Sequence, residues 1–195
     1  MKLLVIDCCI SVREKSRTKM LLNAFLGSWK ENNPGYEMEV VDLKNMDIVP
    51  LNVEDIFERE KAMAAGNMDA SVLALAKQFA DADKVVIAAP LWEMSFPSKL
   101  RVYIEHISVA GITFNYTEHG NVGLCKGEKL LHIVTAGGPF AQADPGRGYL
   151  EQMADFYGIG HIEFLGADMQ DVLEFDHETL LNNALKKAKT LGETF

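Results

Sequence analysis

A hydroxyl- and guanidinium-bearing stretch follows the first apolar run of the sequence. Ser16, Arg17 and Thr18 lie where a helix is predicted to begin. A helix N-terminus presents free backbone N–H groups and a partial positive charge, so these residues suit a phosphate. The same residues would also serve as a plain helix cap. The sequence has neither a GxGxxG nor a GxxxxGK[ST] motif, which argues against the dinucleotide-binding and P-loop designs.

A second stretch, residues 90–97, is unusually apolar for a loop. It places Trp92, Met94 and Phe96 between two prolines, directly after an apolar run. Loops are normally polar and exposed. A stiff, aromatic loop here indicates either a flat aromatic ligand resting against it or side chains that fill a gap between sheet and helix.

A third stretch, residues 135–140, contains the pair Gly137 and Gly138. Glycine allows the backbone to approach a ligand closely and leaves its N–H groups unobstructed. An ordinary glycine turn would have the same composition, so the three stretches gain meaning only if the fold brings them together.

Short apolar runs alternate with longer helical patterns along the chain, which predicts parallel strands joined by crossover helices. The predicted strands are residues 2–7, 37–42, 84–89, 129–135 and 162–167, with 37–42 at the edge and 84–89 in the centre. The predicted helices are residues 16–31, 56–82 with 65–67 as a place to break, 97–109, 149–157 and 177–190. This is an α/β fold, a three-layer α/β/α sandwich, and we expect one domain over residues 1–195. Ligands of such sheets bind beyond the carboxyl ends of the strands, where the three stretches meet.

Composition excludes several classes of function. The chain has 19 Lys and Arg against 28 Asp and Glu, a net charge of −9, which disfavours nucleic acid and anionic membranes as partners. Three cysteines, with Cys8 and Cys9 adjacent, imply no disulfide framework and favour a cytoplasmic location. The five histidines show no metal-ligand spacing, so no metal site is expected, and His132 is interpreted as a hydrogen-bonded interior residue.

The sequence also resembles a known family over nearly its whole length. The most specific pieces are the Ala-Ala-Pro-aromatic loop, the G-x-TF-x-Y segment at residues 111–116 and the strand that ends in T-x-GG at residues 135–138. They are similar to the FMN-dependent NADH-azoreductases, within the wider flavodoxin-like NAD(P)H:quinone oxidoreductase family.

The resemblance implies a flavodoxin-like sheet in strand order 2-1-3-4-5, usually in a homodimer. It implies FMN as cofactor, NADH or NADPH as electron donor, and a quinone or azo compound reduced in a ping-pong cycle. Carried over residue by residue, phosphate contacts fall on Cys9, Ser16, Arg17 and Thr18, and isoalloxazine contacts fall on Pro90, Leu91, Trp92, Glu93, Met94, Ala136, Gly137, Gly138 and Pro139. Cys9 stands where the family commonly has Ser, Arg17 where an amide is usual, and Glu93 where Asn is usual. No side chain is assigned a catalytic role, because the hydride chemistry belongs to the flavin.

The runner-up interpretation is a non-catalytic electron carrier or FMN-binding sensor of the same fold. A receiver domain is excluded, since the third strand ends in Ala89-Pro90 rather than in an aspartate that could be phosphorylated. We expect a homodimer, because residues 111–116 are more apolar and aromatic than a surface excursion requires.

Overall fold

The computed structural model describes residues 1–11, 16–140 and 145–195. The elements follow one another as β1 (Lys2–Asp7), α1 (Arg17–Asn32), β2 (Glu37–Asp42), α2 (Val53–Ala64), a 3-10 turn (Ser71–Leu73), α3 (Ala74–Ala80), β3 (Lys84–Ala88), α4 (Ser98–Ile107), β4 (Phe114–Thr117), β5 (Gly120–Gly123), β6 (Lys129–Thr135), α5 (Pro145–Tyr157), β7 (His161–Ala167) and α6 (His177–Thr194). The main sheet is parallel, in the order β2-β1-β3-β6-β7. The predicted fold class and strand order are therefore confirmed.

The sheet is covered on both faces, which explains why its central strands are apolar throughout. Successive residues of β1 point to opposite faces, so that Leu4 packs with α4 and α5 whereas Leu3 packs with α1 and α6. The α1–α6 layer contains Phe25 and Trp29, both buried. β2 is the edge strand, as its more polar sequence indicates.

Several helix boundaries differ from the prediction; α6, for example, continues to Thr194 rather than ending at residue 190. The region predicted as one helix over 56–82 forms α2 and α3, separated by a non-helical stretch and the 3-10 turn. α2 begins earlier than predicted, because Asn52 and Asp55 form a capping box around its first turn. α5 begins at Pro145 rather than at residue 149, since proline is tolerated in the first turn even though it interrupts an apolar pattern.

β4 and β5 form a separate two-stranded antiparallel hairpin that packs against α5. The Phe114 and Phe156 rings lie 4.6 Å apart, and Ile112 is buried. At Gly123 a side chain would approach the backbone nitrogen of Gly158 to 2.0 Å, so the hairpin requires glycine there. Most of the apolar character of this segment is thus used inside the chain. Within the described ranges, no helix is long and apolar enough to cross a membrane.

Candidate functional site

A cavity of about 450 Å³ lies at the carboxyl edge of the main sheet. This volume is in the range of small-molecule sites, roughly 300–1,000 Å³. The segments that follow all five strands contribute to its lining, which consists of Ile10, Ser11, Ser16, Arg17 and Thr18 after β1, Lys44 after β2, Pro90, Leu91 and Trp92 after β3, Thr135, Ala136 and Gly137 at the end of β6, and Asp171 after β7. The predicted convergence of three loops is therefore present, and two further loops join it.

The start of α1 is held against the tip of β6. Ser16 is the N-cap residue, and its hydroxyl accepts a hydrogen bond from the backbone N–H of Lys19 at 3.3 Å. The hydroxyls of Thr18 and Thr135 form a buried hydrogen bond of 2.7 Å. Because both threonines line the cavity, this bond places the N-terminal turn of α1, with its partial positive charge, at the cavity wall.

Arg17 forms a charged contact across the cavity edge. Its Nη1 donates to Oδ1 of Asp171 at 2.8 Å, although the two residues lie 154 positions apart in the chain. The Asp171 carboxylate also covers Gly137, where a Cβ atom would lie 2.7 Å from Oδ2. The backbone N–H of Asp171 donates to the Gly137 carbonyl at 2.9 Å, so the loop after β7 is fastened to the turn after β6.

The aromatic loop ends in a tight turn. Trp92 and Ser95 exchange backbone hydrogen bonds of 3.1 and 2.8 Å around two central residues, Glu93 and Met94. Both central residues have positive φ, 48° and 65°, the conformation of a type I′ turn that normally selects Asn and Gly. Trp92 is 44% exposed and lines the cavity, so it offers a flat apolar surface to a ligand.

Lys44 adds a second cation to the lining. Its Nζ donates to the backbone carbonyl of Ser11 at 3.0 Å. Lys99 in turn donates to the carbonyls of Lys44 and Met46, at 3.3 and 2.8 Å, which ties the loop after β2 to α4. Among the described residues that line the cavity, two are cationic, Arg17 and Lys44, and one, Asp171, carries a carboxylate. This balance and the helix N-terminus favour an anionic group.

Cys8 and Cys9 lie beneath the cavity rather than in it. Both are buried, and the Cys9 thiol donates to the carbonyl of Ala88 at 3.8 Å. Burial raises the pKa of Cys8 to about 12 and raises the pKa of Cys9 as well, with the nearby Asp7 carboxylate adding to the effect. Both cysteines are free and their thiols stay protonated near neutral pH, which fits small residues at a strand end.

The predicted site residues divide into two sets. Those that line the cavity are Ser16, Arg17, Thr18, Pro90, Leu91, Trp92, Ala136 and Gly137, and those that do not are Cys9, Glu93, Met94, Gly138 and Pro139. Sequence reasoning missed Ile10, Ser11, Lys44, Thr135 and Asp171. The rule that ligands bind beyond strand carboxyl ends, applied also to the loops after β2 and β7, would have pointed to Lys44 and Asp171.

His132 corrects one expectation. It is buried in the centre of β6, as predicted, but neither ring nitrogen has a hydrogen-bond partner among the described residues. Burial lowers the pKa of His132 to about 3, and the charge of Arg147 lowers it further, so the ring stays neutral. Nε2 of His106 lies 2.9 Å from the backbone carbonyl of Val49, in the segment before α2. In the described part of the chain, no group of three or more potential ligands is placed to hold a metal.

Comparison with known proteins gives consistent matches over the chain. A family model described as flavodoxin-like fold matches residues 1–191. An FMN-dependent NADH:quinone oxidoreductase from Clostridium perfringens is 37% identical over 196 residues, which cover 100% of this chain and 99% of that protein. A second such enzyme, from Clostridium acetobutylicum, is 40% identical over 185 residues, 92% of each chain. The crystal structure of an FMN-dependent NADH-azoreductase from Bacillus anthracis in complex with FMN is 26% identical, with a TM-score of 0.84 over 98% of this chain and 97% of that one.

Proposed function

This chain belongs to the flavodoxin-like family, and from that membership we propose that it is an FMN-dependent NADH oxidoreductase that reduces quinones and azo compounds. The full-length similarity to enzymes of that description supports the assignment. The observation that carries it is the composition of the cavity. Arg17 and the start of α1 line the same space as Trp92 and Gly137, so one cavity offers both a phosphate-binding element and a flat apolar surface.

The residues present fit FMN. The phosphate is proposed to bind Ser16, Arg17 and Thr18, with Lys44 as an additional cation that the sequence did not indicate. An anion there gains from charge-assisted hydrogen bonds and from the helix N-terminus. Cys9 is proposed to support this region from beneath, through its buried position at the end of β1.

The isoalloxazine ring is proposed to lie against the aromatic loop and the glycine turn. Pro90, Leu91 and Trp92 would form one wall, and Ala136 and Gly137 another. No atom of the described residues lies within 4 Å of where a Gly138 side chain would begin, and we propose that a flat ring approaches the backbone there. The ring is also proposed to contact Glu93, Met94 and Pro139, which adjoin these walls in the sequence.

When bound, FMN accepts a hydride from the nicotinamide and passes electrons to the acceptor. The protein's part is to bind and orient. The Thr18–Thr135 hydrogen bond and the attachment of the Asp171 loop to Gly137 hold the cavity walls in place before the cofactor arrives. A ping-pong cycle follows if donor and acceptor occupy the same open side of the ring in turn, and no side chain has to supply or remove a proton for the hydride step.

A homodimer is part of the proposal, but on grounds other than residues 111–116. Val53, Ile56 and Phe57 lie at helical spacing on one face of α2, and all three are exposed. Phe57 is 61% exposed, which is unusual for an unpartnered helix face.

We expect a sedimentation measurement at micromolar concentration to give a dimer, and Phe57→Asp to give a monomer. Glu58→Lys, on another face of α2, should leave the dimer intact, and a wild-type monomer would contradict this part of the proposal.

A cytoplasmic location and a single-domain organisation complete the proposal. Three free cysteines suit a reducing compartment. The family model covers all but the last few residues, which suits a chain that consists of one domain.

The test is an anaerobic two-step reduction. Purified protein reconstituted with FMN is mixed with NADH, and we expect the oxidised-flavin absorbance to disappear without any added reductase. Adding a quinone to the NADH-free reduced protein should restore it. A protein that binds FMN but requires a separate reductase would be an electron carrier, and a protein that takes up no FMN would contradict the whole assignment.

Trp92 allows a sharper test of where the ring binds. Trp92→Ala should weaken the binding of both FMN and riboflavin about tenfold, because each loses the same flat apolar surface. Trp92→Phe keeps an aromatic surface and should retain most of the affinity. Equal affinities for all three proteins, measured by quenching of flavin fluorescence, would place the ring elsewhere.

A further inference from the structure

Backbone hydrogen bonds hold Asp171 and its two preceding residues in position. The N–H of Asp171 donates to the Gly137 carbonyl, and the N–H groups of Gln170 and Met169 donate to the carbonyls of Ala136 at 3.1 Å and Gly138 at 3.0 Å. These bonds fasten the loop after β7 to the turn after β6. The Asp171 carboxylate is therefore held at the cavity edge whether or not Arg17 contacts it.

Asp171 carries the wrong charge for the ligand that the rest of the cavity favours. Arg17, Lys44 and the start of α1 all attract an anion, whereas Asp171 repels one. Its carboxylate already accepts a hydrogen bond from Nη1 of Arg17 at 2.8 Å. A phosphate is recognised most strongly when a guanidinium turns its paired N–H groups toward it. The carboxylate and a phosphate thus compete for the same donor group.

The contact is accessible to solvent and so can be exchanged. The Arg17 side chain is 28% exposed and the Asp171 side chain is 52% exposed. An ion pair of this exposure is weak, so a phosphate dianion can displace it. After displacement the carboxylate remains beside the bound anion, because backbone hydrogen bonds hold its loop to the turn after β6.

We propose that Asp171 sets the affinity of the cavity for phosphorylated flavin, by competing with the phosphate for Arg17 and by keeping a negative charge beside it. This inference rests on the proposed function and deepens it. Asp171 acts as a specificity-determining residue: it weakens the affinity for FMN without changing that for riboflavin, so the ratio of the two affinities is smaller. The weaker affinity allows bound FMN to exchange with free FMN. We expect the effect of Asp171 to be confined to FMN, since riboflavin carries a neutral hydroxyl in place of the phosphate and offers Arg17 no opposite charge.

The test is a charge-neutral replacement of nearly the same shape. Asp171→Asn keeps an acceptor oxygen for Arg17 and the backbone bonds of the loop, but it removes the charge. We expect the Kd for FMN to fall about tenfold, which is about 1.4 kcal/mol, while the Kd for riboflavin stays within about twofold. FMN binding should also depend more steeply on salt, because the site becomes more positive. Asp171→Ser removes the charge with a smaller side chain and should give the same direction.

A double-mutant cycle with Arg17 shows whether the two side chains act together. In an Arg17→Gln background, Asp171→Asn should tighten FMN binding by less than about threefold, because the Arg17 guanidinium is no longer there to be released. Asp69→Asn is the control. Asp69 is ion-paired and almost fully exposed, and it does not line the cavity. The substitution removes the same net charge and should change neither Kd.

Each outcome decides the matter. Tighter FMN binding with unchanged riboflavin binding supports the proposal. Weaker FMN binding in Asp171→Asn would show that Asp171 orients Arg17 instead, and unchanged binding would show that the ion pair has no bearing on the ligand. Either result overturns the inference but leaves the proposed function standing. Failure of wild type and variant alike to bind any flavin would overturn the proposed function, and this inference with it.

Discussion

The main sheet uses its polar groups in opposite ways where its strands begin, the amino edge, and where they end, the carboxyl edge. At the amino edge the polar groups bind one another: the backbone N–H of Lys2 donates to Asp83 at 2.6 Å, and Nζ of Lys84 donates to the carbonyl of Phe195 at 2.6 Å. Lys84 also lies 5.4 Å from the centre of the Phe195 ring. At the carboxyl edge the polar groups of five segments instead surround a cavity of about 450 Å³.

Backbone strain is also distributed unequally between the two edges. Among the described residues, the non-glycine residues with positive φ are Glu93, Met94 and Met169, and all three lie in loops at the carboxyl edge. Such conformations cost free energy and persist where the surrounding structure holds them. The amino edge is thus built for stability, whereas the carboxyl edge gives up some stability to present backbone and charge to a ligand.

The largest expected effect lies at the amino edge. Phe195 is 3% exposed and packs edge-on against Phe25. Phe195→Ala should lower the free energy of unfolding by about 3 kcal/mol, measured by denaturant titration, and leave the FMN affinity of the folded protein unchanged. Phe175→Ala, at an exposed phenylalanine, should change stability by less than about 0.5 kcal/mol. A loss of FMN affinity in Phe195→Ala would show that the two edges are not independent.

A second effect comes from the middle of the sheet. The pKa of His132 is about 3 in the fold and 6.5 as a free side chain, so below pH 6.5 the unfolded chain gains a proton that the folded chain does not. His132→Phe removes this penalty. Its stability advantage over wild type should grow by about 1.4 kcal/mol per pH unit as the pH falls from 6.5 toward about 4.5.

Exposed His119 provides the control for this measurement. His119→Phe should leave the pH dependence of unfolding as in wild type. If His132→Phe and wild type lose stability in parallel between these pH values, the buried ring is protonated in the fold and its surroundings are more polar than the structure shows.

The third effect isolates the charge at the carboxyl edge. Arg17→Gln should weaken FMN binding about tenfold, because a charge-assisted hydrogen bond to phosphate is lost, and it should leave stability and riboflavin affinity unchanged. Lys61→Gln, at an exposed position on α2, removes the same charge away from the cavity. Equal FMN affinity in Arg17→Gln and Lys61→Gln, measured by fluorescence quenching, would refute the phosphate site.

The smallest effect tests the strain. Glu93→Asn with Met94→Gly installs the residues that a type I′ turn prefers, and should raise the free energy of unfolding by about 1 kcal/mol. Met94→Ala keeps a Cβ atom in the same conformation and should give no gain. A double variant no more stable than wild type would mean that the turn stores little strain, and the contrast between the edges would then rest on charge alone.

Most of the fold was predictable because it depends on local patterns. Alternation of apolar runs and helical spacing located every strand of the main sheet, and the resemblance supplied their order. The start of α5 could not be located from the pattern, since Pro145, Gly146 and Gly148 interrupt the apolar spacing although the first turn tolerates them. The apolar segment before β4 indicated a partner surface, but Ile112 and Phe114 pack inside their own chain.

The site residues that could be predicted are those that are unusual within their own segment of the sequence. Trp92 and Gly137 are unusual in their loops, and Ser16 precedes a helical pattern. Asp171 is not unusual in its own loop, so that only its place after the last strand points to the site. Its contact with Arg17, across 154 residues, and its position over Gly137 are visible only in the fold. That His132 has no hydrogen-bond partner in the described part of the chain is likewise a property of packing, which no spacing in the sequence encodes.

In the proposed function the carboxyl edge holds FMN, and the amino edge does not take part. Amide hydrogen exchange of the protein with and without FMN compares the two edges in one experiment. We expect slower exchange on FMN addition at residues 16–19, 90–95, 135–140 and 168–171, with no change at residues 81–84 and 126–129. Unchanged exchange in the first set, or slowing mainly in the second, would contradict it.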